Sequence, residues 1–178
     1  MHKQIVYMDI VHAPRYALTM TSLDLDQQPD PGFSLLLEDQ LCFALYAASR
    51  AVTGLYRPLL DALGLTYPQY LALLVLWERG ETSVKELGIA LQLDYGTLTP
   101  LLKRLEANGL LRRERRRDDE RAVRITLTDE GAAMRERVRA LPGAIGDGIG
   151  LEPEEVERTR ATLRRLTANV TAHNPARS

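Results

Sequence analysis

The 178-residue sequence predicts a mainly α-helical chain with one small β-hairpin. Three observations lead there. Apolar residues recur at spacings of three and four through Leu41, Leu45, Ala48, Val52, Leu55, Leu59 and Leu63, the period of a helix face. Two short stretches of the same kind, TSVKELGIALQL and LDYGTLTPLLKRLEANGLL, follow one another with a tight turn between them. Finally, AVRITLT alternates apolar and polar residues as a half-buried strand does, directly after the charged run RRRDDER.

Taken in order, residues 1–33 stand apart. Pro14, Pro29, Pro31 and Gly32, with the polar run DLDQQPDPG, predict a flexible extension. Met20 is a second candidate start, which would leave the first 19 residues outside the native chain. Residues 34–63 read as one long helix. Its apolar set also takes in Phe43, Ala44, Ala47 and Ala51, so burial on more than one side is expected, with a kink or break at Pro58. Gly64 ends it. A second helix follows, with Thr66 and Gln69 spaced as a capping box, Pro68 in the permitted first turn and Gly80 as its stop. Ser83 and Glu86 cap a third helix in the same way. For the fourth, Asp94 as cap would leave Pro100 in the helix interior. The expectation is therefore a cap at Thr97 after an irregular turn, and an end at Asn108-Gly109. A fifth helix starts at Thr128. Pro142 and the glycines at 143, 146, 148 and 150 are expected to break the chain before a last helix, whose glutamates come early and arginines late.

Composition narrows the function. With 45% hydrophobic and 26% charged residues the chain suits a soluble globular protein. No apolar run reaches the roughly 18 residues a membrane span needs, and the N-terminus lacks a secretory pattern. A cytoplasmic protein without a membrane partner is expected. The single cysteine, Cys42, excludes an internal disulfide and a cysteine-based zinc site. His2, His12 and His173 lie in the terminal segments, so neither a metal nor another cofactor is expected. Net charge is −1, so any case for nucleic acid must rest on local clustering.

That clustering is present. A pair of short helices followed by a charged hairpin makes a winged helix-turn-helix, whose second helix lies in the major groove. Here that helix is residues 97–108, offering Thr97 and Thr99 for base edges or phosphates and Lys103 and Arg104 for phosphates. The hairpin is the wing. Between residues 112 and 124 it holds seven arginines against four acids, in a chain that is slightly acidic overall. A charged hairpin alone is as often a solvated loop; the helix pair before it decides for DNA. Arg113 counts among the DNA-contacting residues. At the wing tip, Asp119 can hold Arg121 in a fixed pose for the narrow minor groove.

On the run LDYGTLTPLLKRLEANGLLRRERRRDDERAVRITLTDEG, the chain resembles the MarR family of winged-helix repressors from about residue 36 to 142. LCFALYAASR and LTYPQYLALLVLWE resemble its organic-hydroperoxide-sensing branch, the OhrR type. The resemblance implies a homodimer on a pseudo-palindromic DNA operator, with repression relieved by oxidation of Cys42. The implied organisation is an extension at 1–33 and a winged-helix domain at 34–178, with dimerisation helices at 34–63 and 129–172 and a DNA-binding part at 64–127.

Taken by itself, a lone cysteine on an apolar helix is most often a small buried hydrophobe. In a helix running from residue 34, Glu38 and Asp39 stand at i−4 and i−3 and disfavour a thiolate. Tyr46 lies at i+4 on the same face. Tyr56 is about 21 Å along a straight helix, beyond reach within one chain. Antiparallel pairing of two such helices can bring residue 42 of one to residue 56 of the other, and Tyr67 can join it. The resemblance implies that Tyr56 and Tyr67 hydrogen-bond the reactive cysteine across the dimer. Phe43 and Leu45 favour an organic hydroperoxide of lipid-like character as inducer. With no second cysteine, unlike two-cysteine members of the branch, oxidised Cys42 needs a small cellular thiol, or a cyclic sulfenamide, to complete the switch. The competing reading is a repressor released by a small phenolic or other ligand, with Cys42 incidental. A thiol peroxidase would need a resolving and reducing path that the sequence lacks, so the chain is read as no enzyme.

Overall fold

The structure, a computed structural model, describes residues 34–115 and 123–173. The expectations for residues 1–33, and those for Asp119 and Arg121 at the wing tip, lie outside the described residues. The chain divides into two units, one of residues 40–151 and one holding residues 34–39 and 152–173 of those described.

The larger unit opens with α1 (Leu41–Asp61) and α2 (Tyr67–Arg79). A short strand β1 (Glu81–Ser83), α3 (Val84–Leu91) and α4 (Tyr95–Ala107) follow. The wing strands are β2 (Leu111–Arg115) and β3 (Val123–Leu127), and α5 (Asp129–Arg137) and α6 (Leu141–Ile149) close the unit. The antiparallel sheet has the order β1-β3-β2, with Ile125 facing Thr82 on one side and Arg113 on the other. One leucine-rich core joins these elements: Leu60, Leu73, Leu76, Leu87, Leu98, Leu102, Leu105, Leu111 and Ile125 are all fully buried. The smaller unit contributes a 3₁₀ turn at Leu37–Asp39 and α7 (Pro153–His173), which has no buried residue. Among the described residues, no helix is long and apolar enough to cross a membrane.

The capping signals correspond to real helix starts. The Thr66 N–H donates to Gln69 Oε1 at 2.8 Å, and the Ser83 N–H donates to Glu86 Oε2 at 2.8 Å. Thr128 Oγ1 accepts from the Gly131 N–H at 3.0 Å. Five expectations need correction. First, α1 starts at Leu41 rather than residue 34, because Gln40 is extended and Leu35–Leu37, which continued the apolar pattern, have no core to pack on. Second, α1 runs unbroken through Pro58, its last turn anchored by buried Leu60. Third, α4 begins a turn early, capped by Asp94 with Pro100 inside it. Pro58 and Pro100 each stand four residues after a glycine, Gly54 and Gly96. A proline ring crowds the carbonyl four residues back, and glycine lets that peptide tilt away. Fourth, the Pro/Gly run at 142–148 is helical, not broken. Proline is at home in a first helical turn, Leu141 and Ile145 are buried, and Gly148 admits Leu55 so closely that a Cβ would sit 3.1 Å from Leu55 Cδ1. Fifth, β1 was not expected, because three residues are too few to show a period.

Candidate DNA-binding surface and thiol site

The Asp94 cap builds the exposed start of α4. Its carboxylate accepts from the Thr97 N–H at 2.9 Å and from Thr97 Oγ1 at 2.9 Å, and these bonds hold its carboxyl below the ordinary range. Thr99 Oγ1 donates to the Tyr95 carbonyl at 2.8 Å. Both threonine hydroxyls thus have their protons committed within the helix and meet a ligand as acceptors. Lys103 and Arg104 are exposed one to two turns on. Sequence reasoning missed Tyr95, the first residue of α4, which is 69% exposed; its position immediately after the cap was the available signal.

The wing has two kinds of arginine. Arg112 is exposed. Arg124 pairs with Glu81 across β1 and β3 at 3.2 Å. Arg113, expected at DNA, is turned onto Glu106 in the last turn of α4. That carboxylate accepts from the Arg113 backbone N–H at 3.0 Å, from Nε at 2.8 Å and from Nη2 at 2.5 Å. The guanidinium bonds keep the Glu106 carboxyl below its usual range.

Cys42 is the second residue of α1 and is exposed. Glu38 and Asp39 fall in the preceding 3₁₀ turn, outside that helix. The Cys42 side chain makes no hydrogen bond among the described residues. Tyr46, one turn on, instead accepts from Arg50 Nη1 at 2.9 Å, with that guanidinium 5.6 Å from its ring centre.

Tyr56 and Tyr67 are brought together at the far end of α1, ring centres 4.8 Å apart, with Tyr70 5.8 Å from Tyr56. Burial first, then the neighbouring phenols, push the Tyr56 and Tyr70 hydroxyls above their ordinary value. These tyrosines therefore stay protonated and remain hydrogen-bond donors. Because α1 is continuous from Cys42 to Tyr56, the thiol and the phenols of one chain are separated by about 21 Å. A separate cleft of about 870 Å³ opens between α2 and the α5–α6 junction, lined by Tyr70, Leu74, Trp77, Arg135 and Arg139 among others. Among the described residues there is no group of three or more His, Cys, Asp or Glu side chains able to hold a metal ion.

The arrangement has known counterparts. The family of SarA/Rot transcriptional regulators matches residues 54–138. The organic hydroperoxide resistance transcriptional regulator of Bacillus subtilis (strain 168) is 54% identical over 133 residues, which cover 73% of this chain and 88% of that one. The HTH-type transcriptional regulator TtmR of Methylorubrum extorquens (strain PA1) is 56% identical over 132 residues, covering 74% and 66%. Among solved structures, reduced AbfR bound to DNA superposes with a TM-score of 0.67 at 39% identity, covering 76% of this chain and 93% of the other. Winged-helix architecture and identity at this level agree: the chain belongs to the MarR family of winged-helix transcriptional regulators, in its OhrR-type organic hydroperoxide branch.

Proposed function

We propose that the chain is a homodimeric, DNA-binding repressor that detects organic hydroperoxides through Cys42 and then releases its operator. One observation carries the reading. The only thiol sits exposed in the first turn of a helix, while the phenols suited to hold its anion lie on the same chain about 21 Å away. A second copy with its α1 antiparallel resolves that separation in both directions at once. It would also cover Leu41, Phe43 and Leu59, which one chain leaves exposed. The relative from B. subtilis and the DNA-bound neighbour support the ligand classes, a hydroperoxide and a duplex.

In the reduced dimer, the partner's tyrosines donate to the Cys42 thiolate, and α4 and the wing of each chain engage one half-site. The thiolate attacks the outer oxygen of the hydroperoxide, forming an S–O bond as the O–O bond breaks. The products are a sulfenic acid on Cys42 and the alcohol of the peroxide, which takes up a proton. A small cellular thiol then displaces the hydroxyl as water, leaving a mixed disulfide. The added bulk and lost charge break the tyrosine hydrogen bonds, and the paired recognition helices leave their spacing of about one DNA turn, roughly 34 Å. A gel shift of wild type and Cys42→Ser, with and without cumene hydroperoxide, tests this: peroxide should release wild type and leave the serine variant bound.

A second reading rests on the cleft beside Tyr70 and Trp77. Its aromatic lining and Arg135 suit an aromatic acid as an effector, with Arg139 already paired to Glu136 at 3.2 Å and Glu78 also in the lining. Release of Cys42→Ser by such an acid, and not by peroxide, would favour it.

A further inference from the structure

Strand geometry makes Arg113 unusual among the wing arginines. Side chains alternate across a strand, so Arg113 shares a face with Leu111, two residues before it. Leu111 is fully buried, and Ile125, the cross-strand neighbour of Arg113, is fully buried as well. A guanidinium on the inner face of a sheet needs a partner, and Glu106 provides one. The contact is more than a surface ion pair. Both side chains are about a third exposed or less, the guanidinium binds through two nitrogens, and the same carboxylate takes the Arg113 backbone N–H. Three hydrogen bonds thus converge from β2 on one side chain in the last turn of α4. Between them the chain makes only a tight turn, in which Gly109 adopts φ 73° and the Leu110 N–H returns to the Leu105 carbonyl at 3.0 Å.

We propose that the Glu106–Arg113 pair is a latch that sets the angle between recognition helix and wing, so that both read one half-site together. Arg113 is then a positioning residue rather than a phosphate contact. The inference rests on the reading of α4 and the wing as the DNA-binding surface. It makes an unusual demand, because Glu106 carries negative charge on a DNA-binding element. If charge alone mattered, removing it would strengthen binding. If the latch matters, removing it weakens specific binding.

The test uses the full-length protein and a duplex selected from a random-sequence pool on wild type, with a scrambled duplex as the non-specific probe. Glu106→Gln keeps shape and volume but forfeits the charge-assisted bonds. Its affinity for the selected duplex should fall about tenfold, with affinity for the scrambled duplex unchanged or raised. The salt slope on the scrambled duplex should stay the same for Arg113→Met, since no phosphate contact is lost. The exchange Glu106→Arg with Arg113→Glu, which restores the pair in reverse, should recover part of the specific affinity that either single change loses. Thermal melts run alongside confirm that each variant is folded. Unchanged or tighter binding of Glu106→Gln to the selected duplex would overturn the latch, as would a salt slope that falls by about one in Arg113→Met. If wild type selects no duplex at all, the DNA-binding reading itself fails.

Discussion

In the proposed sensor, Cys42 and the tyrosines divide one task between two ends of a helix. The thiol occupies the first turn of α1 and is exposed. At the other end, burial first and then the neighbouring phenols push the Tyr56 and Tyr70 hydroxyls above their ordinary value. Tyr56→Phe removes one hydroxyl while keeping in place the ring, which lies tilted at 51° to that of Tyr67 with centres 4.8 Å apart. Oxidation of Cys42 by cumene hydroperoxide, followed by mass spectrometry, should slow about tenfold in that variant, the value of one hydrogen bond to a charged group. An unchanged rate would show that Tyr56 serves packing alone. The residues proposed for this site stand out in the sequence; their setting does not. Leu35–Leu37 extend the apolar pattern upstream, so the sequence predicts a helix from residue 34 with Glu38 and Asp39 on the thiol's own helix. Arg113 was readable in principle: its parity with Leu111 on β2 marks it as inward-facing.

Secondary elements meet at the root of the wing. The Trp77 indole N–H of α2 donates to the Gly131 carbonyl of α5 at 2.9 Å, and Thr128 Oγ1 donates to the Gly109 carbonyl at 2.5 Å. At Gly131 there is no room for a side chain, because a Cβ would run into the Leu110 carbonyl oxygen. Gly131→Ala should therefore cost about 3 kcal/mol of stability in urea melts, whereas Gly143→Ala, with open space around it, should cost little. The latch adds a pH dependence. Glu106 has its carboxyl lowered in the folded chain, so its stabilisation is full above the ordinary value of 4.5 and is lost as pH falls through the lower folded value. Wild type should exceed Glu106→Gln in stability at neutral pH, and the two should converge in acid. Capped helix starts were the most legible elements, since Thr66, Ser83 and Thr128 carry their own hydrogen-bond signals. Helix interiors with proline or clustered glycine misled, because Gly54, Gly96 and the close packing of Gly148 on Leu55 offset local penalties that a sequence window counts in full.

At the scale of the molecule, the proposed sensor needs two chains. The apolar face of α1 from Leu41 to Tyr46 and the whole of α7 lack a buried residue in the single chain. The fold class was readable because the helix pair and the alternating strand each have a local period. The proposed antiparallel pairing rests on the family resemblance and on a distance, the length of α1 between Cys42 and Tyr56, which no local pattern contains. The central claim is that each thiol answers to the tyrosines of the other chain, and mixed dimers test it directly. One chain carries Cys42→Ser with every tyrosine intact; the other keeps Cys42 but carries Tyr56→Phe and Tyr67→Phe. Alone, the first cannot be oxidised at this site and the second is oxidised slowly. Co-expressed, the heterodimer should restore the wild-type rate of Cys42 oxidation by cumene hydroperoxide. A mixture that oxidises no faster than the phenylalanine variant alone would contradict the account.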